Sequence, residues 1–248
     1  MMKEEQPWFL DVGAEHNLIL QEMKNTGTSW TNHNSFEKNG YFVIKGLCDP
    51  KKLYHELPKE RGTLKWFGKK LSNFKDYGEE TQVKGSLARY LHPQYLKIHS
   101  EIRLILEKFI GRKLYNTYYY DRFYLPGQEL TRHLDRPACE ISVSVHISSN
   151  IKQDWAFYIK TPDGYKDSSK KEILFYGKEV PVILKPGDGV VYKGCERPHW
   201  RDRMPGSLDA ALSIYNKELN EELYYHQIFF HYVLQDGQRA HCAWDRAK

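Results

Sequence analysis

The sequence predicts a mainly β protein with flanking helices, of the antiparallel barrel or jelly-roll kind. From residue 114 onward, short runs rich in β-branched and aromatic residues alternate with a period of two, and turn sequences such as Pro-Gly and Pro-Asp-Gly separate them. Aromatic residues make up 14% of the chain, a share that suits strands and a pocket with aromatic walls. Many short strands with this punctuation are typical of barrels and jelly rolls.

A chain of 248 residues is long enough to fold as one β domain with a substantial core. We therefore expect a single domain over 1–248. Its expected parts are an N-terminal arm over 1–35, a strand and supporting helices over 36–112, a β core over 113–235 with a helical insert at 207–222, and a tail over 236–248.

The elements before the β core have recognisable boundary signals. A β-rich run at residues 39–47 predicts the first strand, and Asp49-Pro50 after it has the sequence of an N-cap followed by the first helical residue. Residues 60–92 are charged and interrupted by glycines, so we expect loops that border a pocket. Between 92 and 111 apolar residues recur at helical spacing and Gly111 follows as a C-terminal cap, which predicts an amphipathic helix.

The second half of the chain is predicted to be mostly strands. Along residues 140–146 polar and apolar side chains alternate, as in a strand with two different faces. The predicted strands are 114–124, 140–148, 155–160, 180–184, 189–193 and 225–234. The insert at 207–222 has its apolar residues on one helical face and is predicted to be a helix.

The charge and cysteine patterns bound the class of protein. There are 37 basic and 32 acidic residues, and this mild excess favours an anionic small molecule over nucleic acid as a partner. The four cysteines form no Cys-x-x-Cys pair, so we expect reduced thiols in a cytoplasmic, soluble protein. We find no apolar run that predicts a signal peptide or membrane span. The oligomeric state stays open.

Three residues form a candidate metal site. His133 and Asp135 are two residues apart, so in an extended segment their side chains lie on the same face. His199 stands 64 residues after Asp135 and is the third ligand that we select. Two imidazoles and one carboxylate form the facial triad of non-haem iron(II) oxygenases, which leaves positions open for a cosubstrate and oxygen. The alternative is a chance His-x-Asp triplet and a structural histidine packed on Trp200.

Three segments in order carry a family resemblance. They are Asn-Gly-Tyr-Phe-Val-Ile at 39–44, Tyr-Leu-Pro-Gly-Gln at 124–128 followed by His133-x-Asp135, and Pro-Gly-Asp-Gly-Val-Val-Tyr at 186–192 before His199. Over about residues 39–235 the chain resembles the Fe(II)/2-oxoglutarate-dependent oxygenase superfamily, nearest to its prolyl-4-hydroxylase-like branch. The resemblance implies a double-stranded β-helix, an Fe(II) cofactor, and oxidation of a C–H bond coupled to conversion of 2-oxoglutarate and O2 into succinate and CO2.

The expected substrate of such an enzyme is an amino acid, a peptide or a small metabolite, and the sequence does not select among these. In the related halogenases a Gly or Ala stands in place of the carboxylate ligand, so Asp135 favours hydroxylation.

The chain departs from the superfamily pattern at the cosubstrate anchor. An Arg or Lys about ten residues after the distal histidine usually pairs with the far carboxylate of 2-oxoglutarate, whereas here positions 210 and 211 are alanines. A guanidinium binds a carboxylate through two parallel hydrogen bonds. Arg201, two residues after His199, is therefore our first candidate, and Arg122, two residues before Tyr124 on the predicted strand that leads to His133, is the second. Surface arginines are the alternative for both.

Other polar residues near these motifs are weaker candidates. The resemblance places the Tyr124 phenol, Ser142 and His146 beside the cosubstrate, and His231 is a further nitrogen donor on the last predicted strand. Arg136 and Glu140 follow the metal ligands closely and are candidates for contact with substrate or for orienting a ligand. Each of these residues has a structural alternative as a satisfied core side chain or a solvated one.

Two other classes of protein share the predicted site. A cupin-like β-roll that holds a metal or small ligand without catalysis would have the same fold and the same triad. A hydrolase with zinc on the same three ligands is the third possibility. Turnover of 2-oxoglutarate would distinguish an oxygenase from both of these classes.

Overall fold

The computed structural model describes residues 9–11, 32–57, 78–79, 82–165, 173–175, 177–206, 215–216 and 221–243. Most of the predicted N-terminal arm, parts of the insert at 207–222 and the end of the tail lie outside these residues. Within the insert, Tyr215–Asn216 and Glu221–Glu222 pair as short antiparallel strands. The prediction of one continuous helix over the insert is therefore wrong, because these two pairs of residues are extended.

Two helices are described, α1 (Asn32–Asn39) and α2 (Leu96–Ile110). Helix α2 matches the predicted amphipathic helix and ends at Gly111, which has a φ of 73° and donates its N–H to the Glu107 carbonyl. Asp49 does act as an N-cap, since its side chain accepts from the Lys51 N–H, but only a 3-10 turn over Pro50–Lys52 follows instead of the predicted helix. Neither described helix is long and apolar enough to cross a membrane.

The strands are short apart from three long ones in the core. In chain order they are β1 (Phe9–Asp11), β2 (Tyr41–Lys45), β3 (Gly78–Glu79), β4 (Leu87–Tyr90), β5 (Leu114–Tyr124), β6 (Leu130–His133), β7 (Ile141–Ser149), β8 (Phe157–Lys160), β9 (Gly164–Tyr165), β10 (Ile173–Phe175), β11 (Glu179–Val182), β12 (Gly189–Tyr192), β13 (His199–Arg201), β14 (Tyr215–Asn216), β15 (Glu221–Glu222) and β16 (Tyr225–Leu234). Strands β3 and β4 lie where we expected only loops, and β4 pairs with β5.

The strands form two principal sheets, as the jelly-roll prediction requires. The larger has the order β1-β2-β12-β7-β16-β5-β4-β3, and the smaller has the order β11-β8-β13-β6. Neighbours in both sheets are antiparallel except β1 and β2, which are parallel. This architecture is the double-stranded β-helix with flanking helices, and the predicted fold class is confirmed.

Side chains along the long strands alternate between two environments. Val143 and Ile228 pack in the apolar core that includes Leu106 of α2. The intervening residues of the same strands point the opposite way, toward the smaller sheet. Tyr225 is one of them, and its ring lies 4.8 Å from the Arg201 guanidinium carbon of β13. The space between the two sheets is therefore the place where polar residues from both can meet.

Candidate active site

The pairing of β6 with β13 brings the two candidate histidines together. His133 is the register partner of His199, and the centroids of the two rings are 4.3 Å apart. Asp135 follows β6 and donates its backbone N–H to the Gly194 carbonyl. Its Oδ1 atom lies 3.5 Å from Nε2 of His133 and 3.4 Å from Nε2 of His199. The three residues selected from the sequence thus converge, with one ligand atom of each within 4.8 Å of the others.

Backbone carbonyls orient both imidazoles through hydrogen bonds to their Nδ1 atoms. Nδ1 of His133 lies 2.8 Å from the Thr131 carbonyl, and Nδ1 of His199 lies 2.9 Å from the Arg197 carbonyl. A carbonyl oxygen only accepts, so each Nδ1 donates a hydrogen bond and each Nε2 is turned toward the Asp135 carboxylate. Bonds of this kind fix the ring orientation of metal-binding histidines. Two imidazoles with their Nε2 atoms beside one carboxylate are a donor set that fits a divalent iron ion.

Asp135 is ionised and held in place by its surroundings. Burial raises the pKa of its carboxyl, but the charge of the neighbouring His199 outweighs burial and holds the pKa well below its ordinary value. Its Oδ2 atom accepts a hydrogen bond of 2.7 Å from the Ser142 hydroxyl. A Cβ atom at Gly194 would collide with this carboxylate and with the Cys139 carbonyl. Gly194 is a site residue that sequence reasoning missed.

Arg201 lies on the same side of β13 as His199 and is 1% exposed. Its Nη1 donates to the Trp155 carbonyl at 2.7 Å, and the guanidinium carbon is 4.6 Å from the Trp155 ring centroid. Its Nε and Nη2 make no hydrogen bond with the residues that the structure describes. A buried cation with two unsatisfied donors is costly without a partner, so this position favours an anionic ligand.

Two further polar side chains on the inner face of the larger sheet have unsatisfied atoms. Gln227 is fully buried, and neither of its amide atoms finds a partner among the described residues. Its register partner His146 donates Nδ1 to the Leu184 carbonyl at 2.9 Å, while its Nε2 is unsatisfied there too. Burial lowers the pKa of His146 to about 4, so the ring is neutral near pH 7. Gln227 was missed, although its polar type within an apolar strand was a usable signal.

Arg122 and Tyr124 are linked to the metal ligands through a residue that the sequence did not indicate. The Arg122 guanidinium donates to the Tyr124 hydroxyl and to Oε1 of Gln82, each at 2.8 Å. Nε2 of Gln82 lies 3.0 Å from Nε2 of His133. Gln82 therefore joins a buried arginine to a candidate metal ligand.

The remaining predicted residues lie at different distances from the triad. His231 is joined to it through Ser142, whose hydroxyl is 3.0 Å from Nδ1 of His231. Arg136 is exposed and lies over the Tyr118 ring, 4.5 Å from its centroid. The Glu140 carboxylate accepts from the Leu234 N–H at 2.9 Å and from Arg239 at 3.0 Å. The structure thus brings His231 close to the ligands and does not bring Glu140 to them.

Comparisons with known proteins identify the fold. No protein-family model and no curated protein matches the sequence. AviO1 from Streptomyces viridochromogenes Tue57 aligns at 14% identity over 82% of this chain and 93% of that chain, with a TM-score of 0.50. HygX from Streptomyces hygroscopicus, solved with nickel and 2-oxoglutarate bound, aligns at 12% identity over 80% of this chain and 84% of that chain, also with a TM-score of 0.50.

A Pseudomonas putida prolyl-4-hydroxylase aligns at 13% identity over 82% of this chain and 98% of that chain, with a TM-score of 0.49. The likeness to AviO1 and HygX shows a shared fold, in agreement with the fold class that the sequence predicted.

Proposed function

We propose that this protein is an Fe(II)- and 2-oxoglutarate-dependent dioxygenase that hydroxylates an amino acid, a peptide or a small metabolite. The observation that carries the proposal is the convergence of Nε2 of His133, Nε2 of His199 and the Asp135 carboxylate between the two sheets. The Nδ1 atoms are engaged by backbone carbonyls, so the Nε2 atoms and the ionised carboxylate are the groups that an ion would meet.

His133, Asp135 and His199 would hold Fe(II), which with 2-oxoglutarate and O2 supplies the oxidising chemistry and leaves succinate and CO2. Ser142 orients the carboxylate by its bond to Oδ2, and the carbonyls of Thr131 and Arg197 orient the rings. These bonds to the far atoms of the ligands are the kind that set metal affinity.

Arg201 is our proposed partner of the far carboxylate of 2-oxoglutarate. Its Nε and Nη2 atoms are adjacent donors on one edge of the guanidinium, the arrangement that binds a carboxylate side by side. The rings of Trp155, Tyr225 and Phe157 lie within 5.6 Å of the guanidinium carbon and exclude water from it. A low local dielectric strengthens an ion pair formed there.

Gln227 and His146 have unsatisfied polar atoms in the same space and would hydrogen-bond to the cosubstrate or to ordered water. Arg122 with Tyr124 is the second candidate for the carboxylate. Arg136 is the one remaining substrate candidate with an exposed side chain, whereas Glu140 is engaged by Leu234 and Arg239.

The two competing functions differ in what they require beyond the triad. A zinc hydrolase or a non-catalytic cupin-like protein needs three ligands but has no need for a buried guanidinium with spare donors. Arg201 is therefore the observation that favours a dianionic cosubstrate over both.

Succinate formation from 2-oxoglutarate under air with added Fe(II), measured with and without candidate substrates, tests the proposal. Asp135→Ala is expected to abolish it, and Asp236→Ala, which changes an exposed partner of Arg112, is the matched control. Binding of Fe(II) without any consumption of 2-oxoglutarate would instead support the cupin-like function. Zinc retained through purification together with hydrolytic activity would support the hydrolase.

A further inference from the structure

Gln82 makes two hydrogen bonds that together define the orientation of its amide. Oε1 accepts from Nη2 of Arg122 at 2.8 Å, and the amide nitrogen lies 3.0 Å from Nε2 of His133. An amide nitrogen only donates, so it donates to Nε2 of His133, which agrees with the proton placed on Nδ1 by the Thr131 carbonyl. Exchanging the two amide atoms would place an acceptor against a lone pair and a donor against a cation. The contact between Gln82 and His133 is therefore specific.

The amide of Gln82 and a metal ion require the same lone pair. A divalent ion binds an imidazole nitrogen at about 2.1 Å along the lone-pair direction. The Gln82 amide nitrogen lies 3.0 Å from the same nitrogen and donates to it. Because one lone pair serves one partner, Gln82 must leave His133 for an ion to bind all three ligands.

Only the side chain of Gln82 has to move, because the turn that carries it is fixed. Val83 is 2% exposed, its carbonyl accepts from the Ser86 hydroxyl at 2.8 Å, and the Lys84 carbonyl accepts from Gln128 at 3.3 Å. The Gln82 residue itself is exposed. A change of side-chain rotamer toward solvent is therefore sufficient to release His133.

We propose that Gln82 is a further residue of the metal site and sets how tightly that site takes a divalent cation. Its amide competes with the ion for Nε2 of His133, so the measured affinity is lower than the three ligands alone would give. The inference rests on the triad of the proposed function, but it does not depend on catalysis or on the cosubstrate.

Anaerobic titration with Co(II), followed by visible absorption in the absence of 2-oxoglutarate, tests this inference. Gln82→Leu removes both hydrogen bonds at similar side-chain size, and Gln82→Asn keeps an amide that is one methylene shorter. We expect both variants to bind Co(II) about fivefold more tightly than the wild type, the effect of losing one competing hydrogen bond of about 1 kcal/mol. Gln94→Leu, which removes an exposed glutamine bonded to the Lys52 carbonyl, is the control.

The outcomes separate this inference from the proposed function. Binding by the wild type with equal or weaker binding by both Gln82 variants overturns the role of Gln82 and leaves the triad standing. Absence of binding by the wild type and by both variants overturns the metal site and the inference together. Asp135→Ala gives the absorption change that arises from Co(II) bound outside the triad. Thermal unfolding shows whether each Gln82 variant is folded, and one folded Gln82 variant is enough for the comparison with the wild type.

Discussion

The Ser142 hydroxyl donates a 2.7 Å hydrogen bond to Oδ2 of Asp135, and this leaves Oδ1 as the oxygen that faces both candidate metal-binding histidines. The bond joins the start of β7 to the segment just after β6. The bond therefore determines that Oδ1 is the carboxylate oxygen available to an ion, and its loss should change the metal affinity.

Ser142→Ala is expected to weaken metal binding about tenfold, because loss of a hydrogen bond to a metal ligand typically costs 10- to 100-fold in affinity. The dissociation constant for Co(II) or Mn(II) is the measurement. Ser100→Ala, which removes a hydroxyl bonded to Asn116 beside α2, should leave it unchanged. Equal affinities for wild type and Ser142→Ala would show that the backbone alone positions Asp135.

Gly194→Ala is expected to lower both stability and metal affinity. The added methyl group would meet the Asp135 carboxylate and the Cys139 carbonyl, and relieving such a collision costs about 1–3 kcal/mol. Urea unfolding and metal titration measure the two effects. Gly237→Ala, at a turn near the C-terminus, is the comparison. A Gly194→Ala protein with wild-type affinity would mean that Asp135 does not need its observed position.

Arg201→Lys is expected to weaken 2-oxoglutarate binding by about one to two orders of magnitude while leaving metal affinity unchanged. A lysine cannot make two parallel hydrogen bonds to a carboxylate, and charged hydrogen bonds contribute about 1.5–3 kcal/mol each. Calorimetry with the metal-loaded protein measures the effect. Arg203→Lys, on the exposed surface, is the control.

The same measurement on Arg122→Lys decides between the two buried arginines. A larger loss of 2-oxoglutarate affinity in Arg122→Lys than in Arg201→Lys would assign the carboxylate to Arg122 instead.

Stability is expected to fall as pH drops from 6.5 toward 4, in part because of His99. Burial lowers the pKa of this core histidine from its ordinary 6.5 to about 4 in the folded protein. Below pH 6.5 the unfolded chain takes up a proton that the folded protein does not, so unfolding is favoured. Between pH 7 and 5 the loss from this group is about 2 kcal/mol.

Urea unfolding at the two pH values measures this loss, and His99→Gln removes the titrating group. The difference in unfolding free energy between pH 7 and 5 should shrink by about 2 kcal/mol in the variant. An unchanged difference would mean that His99 takes up its proton without unfolding.

Elements with a long, regular pattern were predictable from the sequence. Strands β5 and β16 match their predicted bounds, because each is a run of ten or more residues rich in aromatic and β-branched side chains. Strand β4 was missed because Leu87–Tyr90 has no alternating apolar pattern, and its pairing with β5 decides its conformation. The helix expected after Asp49 was wrong because a local capping signal cannot show how far a helix continues.

The residues of the candidate site also divide into those that the sequence predicts and those that it does not. His133, Asp135 and His199 were accessible because metal ligands have characteristic types and spacing. Gln82 and Gly194 were not, because Gln82 acts through a contact with His133 that spans 51 positions, and Gly194 matters for the atom it lacks. Neither property is visible before the sheets are assembled.

The pairing of β6 with β13 places the two candidate histidine ligands on different strands of the smaller sheet. An ion bound by both histidines would cross-link two strands that are far apart in sequence. At a thousandfold excess over its dissociation constant, such an ion would add about 4 kcal/mol to the free energy of unfolding. Chelation should then lower the melting temperature, and a simple thermal scan would report whether the ligands are loaded even before any substrate is found.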